Sequence, residues 1–246
     1  MPFATALVLF DIDGTLMRGA GPHHKLALVE GVRRVTGHQG SLDRVPTHGM
    51  LDRDLLWILL LEAHLSRTRI RKVMPEVVKA AQQAYLESSP SSLTECLCPG
   101  VVPLLERLVE AHCCLGVVSG NLTAIGWRKL ELSGIRRHFT LGAFSEDASN
   151  RALVARTAIR RARKAGTIRR TTPISLVGDH PNDVLAAHAN RIRAVATGTG
   201  LGQTPELDAA MPHLFVTDFT FLSVRQLTVP FDGATLPKPR RRTTKS

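Results

Sequence analysis

Two carboxylates stand two positions apart directly after the first apolar run of the chain, in Leu9-Phe10-Asp11-Ile12-Asp13-Gly14-Thr15. In an extended backbone, side chains at positions i and i+2 project to the same side. Open α/β sheets bind ligands at the carboxyl ends of their strands, so these acids could serve there as nucleophile, proton donor or metal ligands. An Asp-Gly pair is also common turn chemistry, and the segment alone indicates no more than a candidate site.

A second acidic pair follows a later apolar run, in Gly178-Asp179-His180-Pro181-Asn182-Asp183. Four carboxylates gathered at one sheet edge would repel one another and shift their pKa values, and a divalent ion would relieve that repulsion. Oxygen ligands favour Mg²⁺. We interpret His180 as a loop residue and not as a ligand.

A third candidate segment is Ser119-Gly120-Asn121, which follows the apolar run Val117-Val118 and precedes a helical stretch. A hydroxyl group and exposed N–H groups at the start of a helix can hold an anion. The same composition is typical of an ordinary loop, so this segment is informative only together with the two acidic pairs.

Apolar runs bounded by turn residues predict the strands that must position these segments. They are Ala6 to Phe10, Cys113 to Val118, Phe139 to Phe144, Ile174 to Val177, Ile192 to Ala196 and Leu214 to Val216. Helix-length segments separate them, an alternation typical of a parallel sheet covered on both faces. The sequence therefore predicts an α/β fold with a Rossmann-like, doubly wound parallel sheet.

The segment from about Pro22 to about Ser88 departs from this alternation, because its apolar residues follow helical periodicity throughout. Segments rich in helix-breaking residues flank it and could serve as two hinge strands. We predict a catalytic core of residues 1–15 and 97–232, a helical cap of residues 16–96 inserted after the first strand, and a disordered basic tail of residues 233–246.

The three segments resemble, in order, the first, second and fourth motifs of the haloacid dehalogenase superfamily. The helical insert resembles the helical (C1) cap of its phosphatases, including those similar to phosphoglycolate phosphatase. The resemblance implies that Asp11 attacks phosphorus to form an aspartyl-phosphate and that Asp13 is the acid/base. It implies Mg²⁺ held by Asp11, the backbone carbonyl of Asp13 and Asp179, with Asp183 as a direct or outer ligand. It also implies phosphate contacts from Thr15, Ser119, Gly120 and Asn121.

The third motif of that superfamily supplies a cation, usually lysine, and here two residues compete for the role. We favour Arg151, which follows the predicted Phe139 to Phe144 strand and opens the next helix. An arginine can also hold phosphate in bidentate fashion. Lys129 is the competitor, and we expect it to lie on a solvated helix face.

The net charge of +11 would suit nucleic acid, but five of these charges fall within the last ten residues. With one Tyr and two Trp, the chain also lacks the aromatic residues that stack on bases. We therefore expect no specific nucleic acid partner and no membrane partner. We expect a cytoplasmic monomer or weak dimer, with free thiols, that acts on a small phosphorylated metabolite.

The leading hypothesis is a Mg²⁺-dependent hydrolase of a small phosphate monoester. A sugar phosphomutase shares the same core residues and stays open as an alternative, as do a phosphoryl receiver domain and a catalytically silent scaffold. The segment Thr47-His48-Gly49-Met50 is either a loop that dips toward the core and helps to select the substrate, or an ordinary turn between helices.

Overall fold

The computed structural model describes residues 3–200 and 204–230 of the 246-residue chain. The predicted tail, residues 233–246, and the last two residues of the predicted core lie outside the described residues. The domain boundaries themselves remain a prediction.

The described residues contain a six-stranded sheet in which every neighbouring pair of strands is parallel. Its order is β3-β2-β1-β4-β5-β6. The strands are β1 (Leu7–Phe10), β2 (Cys114–Val118), β3 (Leu141–Ala143), β4 (Ile174–Gly178), β5 (Arg193–Thr197) and β6 (Leu214–Val216). Each predicted strand is present, and the predicted fold class is confirmed.

Helices cover both faces of the sheet, because alternate residues of its strands are apolar on opposite sides. Leu7 and Leu9 of β1 belong to one apolar cluster, while Val8 and Phe10 belong to another. The helices of the core are α4 (Val101–Glu110), α5 (Thr123–Leu132), α6 (Arg151–Lys164), α7 (Pro181–Ala189), α8 (Pro205–Ala209) and α9 (Val224–Thr228).

Three helices lie between β1 and α4, and they form the predicted cap: α1 (His23–Thr36), α2 (Asp52–Glu62) and α3 (Arg67–Ser88). Their apolar faces form a third cluster, which also includes Leu122 and Ile125 at the start of α5. The cap therefore packs directly on the part of the core that follows Ser119-Gly120-Asn121.

The two segments that connect cap and core pair with each other. The Arg18 backbone N–H donates to the Cys96 carbonyl at 2.9 Å, and the Cys98 N–H donates to the Leu16 carbonyl at 3.0 Å. They lie side by side, as two hinge strands would. Across residues 3–200 and 204–230, no helix is long and apolar enough to cross a membrane.

Candidate active site

The site lies where β1 and β4 run side by side at the centre of the sheet. Chain connections leave this strand pair toward opposite edges, which opens a crevice beyond the carboxyl ends of the two strands. Asp11 directly follows β1 and Asp179 directly follows β4. The strand order therefore brings the two acidic segments together.

Asp11, Asp179 and Asp183 form a buried cluster in which one carboxylate oxygen of each lies within 4.8 Å of the others. The Thr15 hydroxyl donates to Asp179 Oδ1 at 3.0 Å. Asp179 Oδ2 and Asp183 Oδ1 are buried and accept no hydrogen bond from any described residue, although each lies within ion-pair distance of one side-chain nitrogen. Carboxylate oxygens that converge in this way fit a hard divalent cation such as Mg²⁺.

The pKa values within the cluster show how unfavourable it is without a cation. Burial, together with the charges of Asp11 and Asp183, raises the pKa of Asp179 to about 8. Burial also raises the pKa of Asp183 and that of Asp11, although the Arg151 guanidinium opposes both shifts. A cation held by the ionised carboxylates would reverse these shifts.

Gly14 allows the loop after β1 to pass close to the Asp179 side chain. Its φ angle is +84°, in the left-handed region, and a Cβ atom at this position would collide with the Asp179 carboxylate. A side chain at position 14 would therefore displace one member of the acidic cluster.

Arg151, the residue predicted to be the cation of the third motif, is buried beside the cluster. Its Nη1 donates to Asp11 Oδ1 at 3.0 Å and to the Val118 carbonyl at 3.2 Å, and its Nε lies 3.1 Å from Asp183 Oδ1. Arg151 is the first residue of α6, where the helix dipole disfavours a cation. Its position is thus set by the two carboxylates, and it joins the two acidic segments.

The Asp13 side chain is not part of this cluster and has different partners. Its carboxylate accepts hydrogen bonds from Lys129 Nζ at 2.8 and 2.6 Å and from Asn121 Nδ2 at 2.7 Å. Partial burial acts to raise the pKa of Asp13, but Lys129 and the Asn121 hydrogen bond outweigh it and lower that pKa to about 2. Asp13 is therefore held ionised in this arrangement.

The expectation that Lys129 lies on a solvated helix face is wrong. Its side chain is 1% exposed, because it extends from α5 beneath the cap to Asp13. The helical spacing of α5 contained a signal for this burial, since Ile125, Gly126 and Leu130 lie on the same face. The two cations thus occupy different positions: Arg151 lies beside Asp11, and Lys129 lies beside Asp13.

Two cap residues that the sequence analysis did not single out, His24 and Asp52, extend the contacts of Lys129. His24 Nδ1 lies 3.1 Å from Lys129 Nζ, and His24 Nε2 lies 2.8 Å from Asp52 Oδ2. Because an ammonium group can only donate, Nδ1 must accept, which leaves Nε2 to carry the hydrogen that Asp52 receives. The buried Asp52 also accepts from the Leu122 backbone N–H at 2.7 Å. No periodic pattern in the sequence distinguishes these two residues from ordinary helix-start residues.

The structure brings the other predicted phosphate-binding residues to the same crevice. Ser119 and Gly120 line it together with Asp11 and Arg151. Asn121 Nδ2 donates to Ser119 Oγ at 3.0 Å in addition to its bond to Asp13. Their contacts with phosphate, and that of Thr15, remain predictions.

The cap loop 47–50 does dip toward the core. His48 Nε2 lies 3.5 Å from Asp179 Oδ2, and the Gly49 carbonyl accepts from Asn182 Nδ2 at 3.0 Å. The His48 ring also packs against His180, whose pKa is lowered to about 4 by burial and by the nearby His48 and Arg151 side chains. The contacts at Asp179 and Asn182 distinguish this segment from an ordinary turn between helices.

The family model for haloacid dehalogenase-like hydrolases matches residues 5–190. The chain therefore belongs to this family of hydrolases. None of the curated proteins matches the chain.

Solved structures show the same fold at low sequence identity. CbbY from Rhodobacter sphaeroides, solved in complex with phosphate, has a TM-score of 0.64 at 18% identity, covering 91% of this chain and 99% of that one. A β-phosphoglucomutase from Clostridium difficile has a TM-score of 0.63 at 15% identity, covering 91% and 95%. A protein described as a predicted phosphatase from Clostridium acetobutylicum has a TM-score of 0.59 at 18% identity, covering 87% and 94%.

Proposed function

We propose that this chain is a Mg²⁺-dependent phosphatase that hydrolyses a small phosphate monoester through an aspartyl-phosphate intermediate. The observation that carries the proposal is that the two aspartates at the end of β1 have different surroundings. Asp11 belongs to a buried acidic cluster, whereas Asp13 is held by Lys129 at the border with the cap. Family membership in a class of hydrolases supports the same chemistry.

In the first half-reaction, an Asp11 carboxylate oxygen attacks phosphorus, and the bond from phosphorus to the leaving oxygen breaks. Asp13 gives its proton to that oxygen. In the second half-reaction, Asp13 takes a proton from water, which attacks the same phosphorus and releases phosphate and the Asp11 carboxylate. The ionised Asp13 of this structure is the form needed for the second step. A dianionic ester that enters beside Asp13 opposes its ionisation and so favours the protonated form needed for the first.

Charge balance supports the metal. Asp11, Asp13, Asp179 and Asp183 face two cations, Arg151 and Lys129, so one divalent ion would balance the remaining two negative charges. Asp11, Asp179, Asp183 and the backbone carbonyl of Asp13 would hold it. The ion would screen Asp11 from the phosphate dianion and stabilise charge on the transferring oxygens. Arg151 would bind the same oxygens, while Ser119 and Thr15 would orient them.

A panel of phosphate monoesters tests the proposal, assayed with Mg²⁺, with EDTA, and with Asp11→Asn. We expect phosphate release that EDTA abolishes and that Asp11→Asn abolishes while its circular dichroism spectrum stays unchanged, since an amide is close in shape but is not a nucleophile. Activity retained by Asp11→Asn, with deamidation excluded by mass spectrometry, would contradict the mechanism. Formation of an isomeric sugar phosphate in place of inorganic phosphate would identify a mutase, and a stable phosphoprotein without turnover would identify a receiver.

A further inference from the structure

The candidate site opens into a cavity of about 210 Å³ between the cap and the core. Asp11, Asp13 and Arg151 line its floor, and His24, Lys25 and Leu55 line its cap side. Pockets for drug-sized ligands span about 300–1,000 Å³, so this cavity fits a phosphate ester whose leaving group has only a few heavy atoms.

Most charged side chains along the cavity are already paired with one another. Arg151 contacts Asp11 at 3.0 Å, Lys129 contacts Asp13 at 2.6 Å, and His24 contacts Asp52 at 2.8 Å. Lys25 differs from these, since no carboxylate among the described residues lies within ion-pair distance of its ammonium group. Its charge is available to a molecule in the cavity.

Helix stability does not explain Lys25 either. It lies in the first turn of α1, which also contains His23 and His24 and contains no acidic residue. The helix dipole favours acids at this end and disfavours cations. Lys25 therefore gains no stability from its place at the helix end, and its exposed side chain lines the cavity.

We propose that Lys25 forms a subsite for a second anionic group on the substrate. On this inference, which rests on the proposed phosphatase function, the enzyme selects small phosphate monoesters whose leaving group ends in a carboxylate or a second phosphate. The phosphate being transferred lies against Asp11 and Arg151 on the core side, and the second anion lies toward Lys25 on the cap side. Lys25 is a specificity-determining residue and takes no part in bond breaking.

Three substrates of similar length test this subsite: glycerol 3-phosphate, 3-phosphoglycerate and propane-1,3-diol bisphosphate. They end in a hydroxyl, a carboxylate and a second phosphate. We expect the wild-type enzyme to prefer one or both of the doubly anionic esters, and the favoured one identifies the anion. Lys25→Met keeps most of the side-chain length and removes the charge. It should lower kcat/KM for the favoured ester about tenfold, mainly through KM, and change that for glycerol 3-phosphate less than twofold.

Lys72→Met is the matched control, because Lys72 is an exposed lysine of α3 that does not line the cavity. It should leave all three rates unchanged. An equal loss on all three substrates in Lys25→Met, or a wild-type enzyme without preference for a second anion, would overturn the subsite. Hydrolysis of any of the three esters in the same assays would then show that the phosphatase function itself stands. Absence of that hydrolysis would overturn the proposed function and the subsite together.

Discussion

The two aspartates at the end of β1 stand two residues apart and have opposite environments. The Asp11 side chain is 6% exposed, its neighbours are the core residues Arg151, Asp179 and Asp183, and burial raises its pKa. The Asp13 side chain is 42% exposed, its partners are Lys129 and Asn121, and its pKa is lowered to about 2. Two carboxyl groups in such different environments can take different roles, and a cation bound at the acidic cluster would lower the pKa of Asp11 and keep it ionised.

The two environments also differ in which part of the fold supplies them. The Asp11 cluster is built by strand ends and helix starts of the core, so its geometry depends on the sheet. Asp13 is connected through Lys129 to His24 and Asp52 of the cap. The position of the cap therefore bears on the acid/base residue more directly than on the nucleophile. The predictions below separate these two sides of the site.

The largest effect after loss of Asp11 itself is expected at Arg151, on the nucleophile side. Arg151→Ala should lower kcat/KM about 10³–10⁵-fold, the range found for arginines that stabilise a transferring phosphoryl group. Arg151→Lys should recover part of this loss, because the charge survives although the planar fork does not. Steady-state kinetics with saturating Mg²⁺ measure both. Equal activity of the Ala and Lys variants would show that the charge is not used.

Asp13→Asn should lower kcat about 10²–10⁴-fold with an alkyl phosphate, the usual contribution of general acid/base catalysis. The loss should be smaller with an aryl phosphate, whose leaving oxygen needs less help from a proton. A series of esters with leaving groups of different pKa measures this dependence. Equal losses for alkyl and aryl esters would remove Asp13 from the acid role.

Lys129→Met should also reduce activity, by about 10–100-fold. Such a loss is common for a residue that orients a functional side chain, here Asp13, without itself contacting the substrate. A lysine on a solvated helix face would have little effect, but Lys129 is buried and lies 2.6 Å from Asp13. Because Lys129 acts through Asp13, the loss should be small when the Asp13→Asn substitution is already present. Fully additive losses in the double variant would indicate a general structural role instead. Lys79→Met, on an exposed face of α3, provides the control.

The sequence was sufficient for the parts of this site that depend on local pattern. Strand ends carry Asp11, Ser119 and Asp179, and their apolar runs and glycines identify them without knowledge of the fold. The place of Arg151 was predictable because it is the first residue of α6, the helix that follows β3. The strand order then brings these residues together.

The contacts of Lys129 required knowledge of the tertiary structure. A lysine in a helix is ordinarily solvated, and its burial here depends on Asp13, which lies 116 residues away in the chain. His24 and Asp52 pose the same difficulty, because their partners lie across the boundary between cap and core. Spacing within one element could indicate the buried face of α5, but it could not identify the carboxylate that the face meets.

The smallest expected effect is a change in stability between about pH 4 and pH 8, which should arise on the Asp11 side, because the lowered pKa of Asp13 affects stability only below about pH 4. In the folded protein without metal, the pKa of Asp179 is about 8, whereas an unfolded aspartate has a pKa of about 3.9. Between these values the folded state holds a proton that the unfolded state releases. This contribution to stability is therefore fully present below about pH 4 and is lost as the pH rises through about 8. The raised pKa values of Asp11 and Asp183 act in the same direction.

Because Mg²⁺ binds the ionised carboxylates, it competes with these protons and should raise the Tm more at about pH 8 than at about pH 5.5. Thermal unfolding with Mg²⁺ or EDTA at both pH values measures the difference. Asp179→Asn should abolish most of the Mg²⁺ response, while Asp13→Asn should retain it, since the Asp13 side chain lies outside the acidic cluster. A Mg²⁺ shift that is independent of pH, or equal in the two variants, would contradict this division of the site.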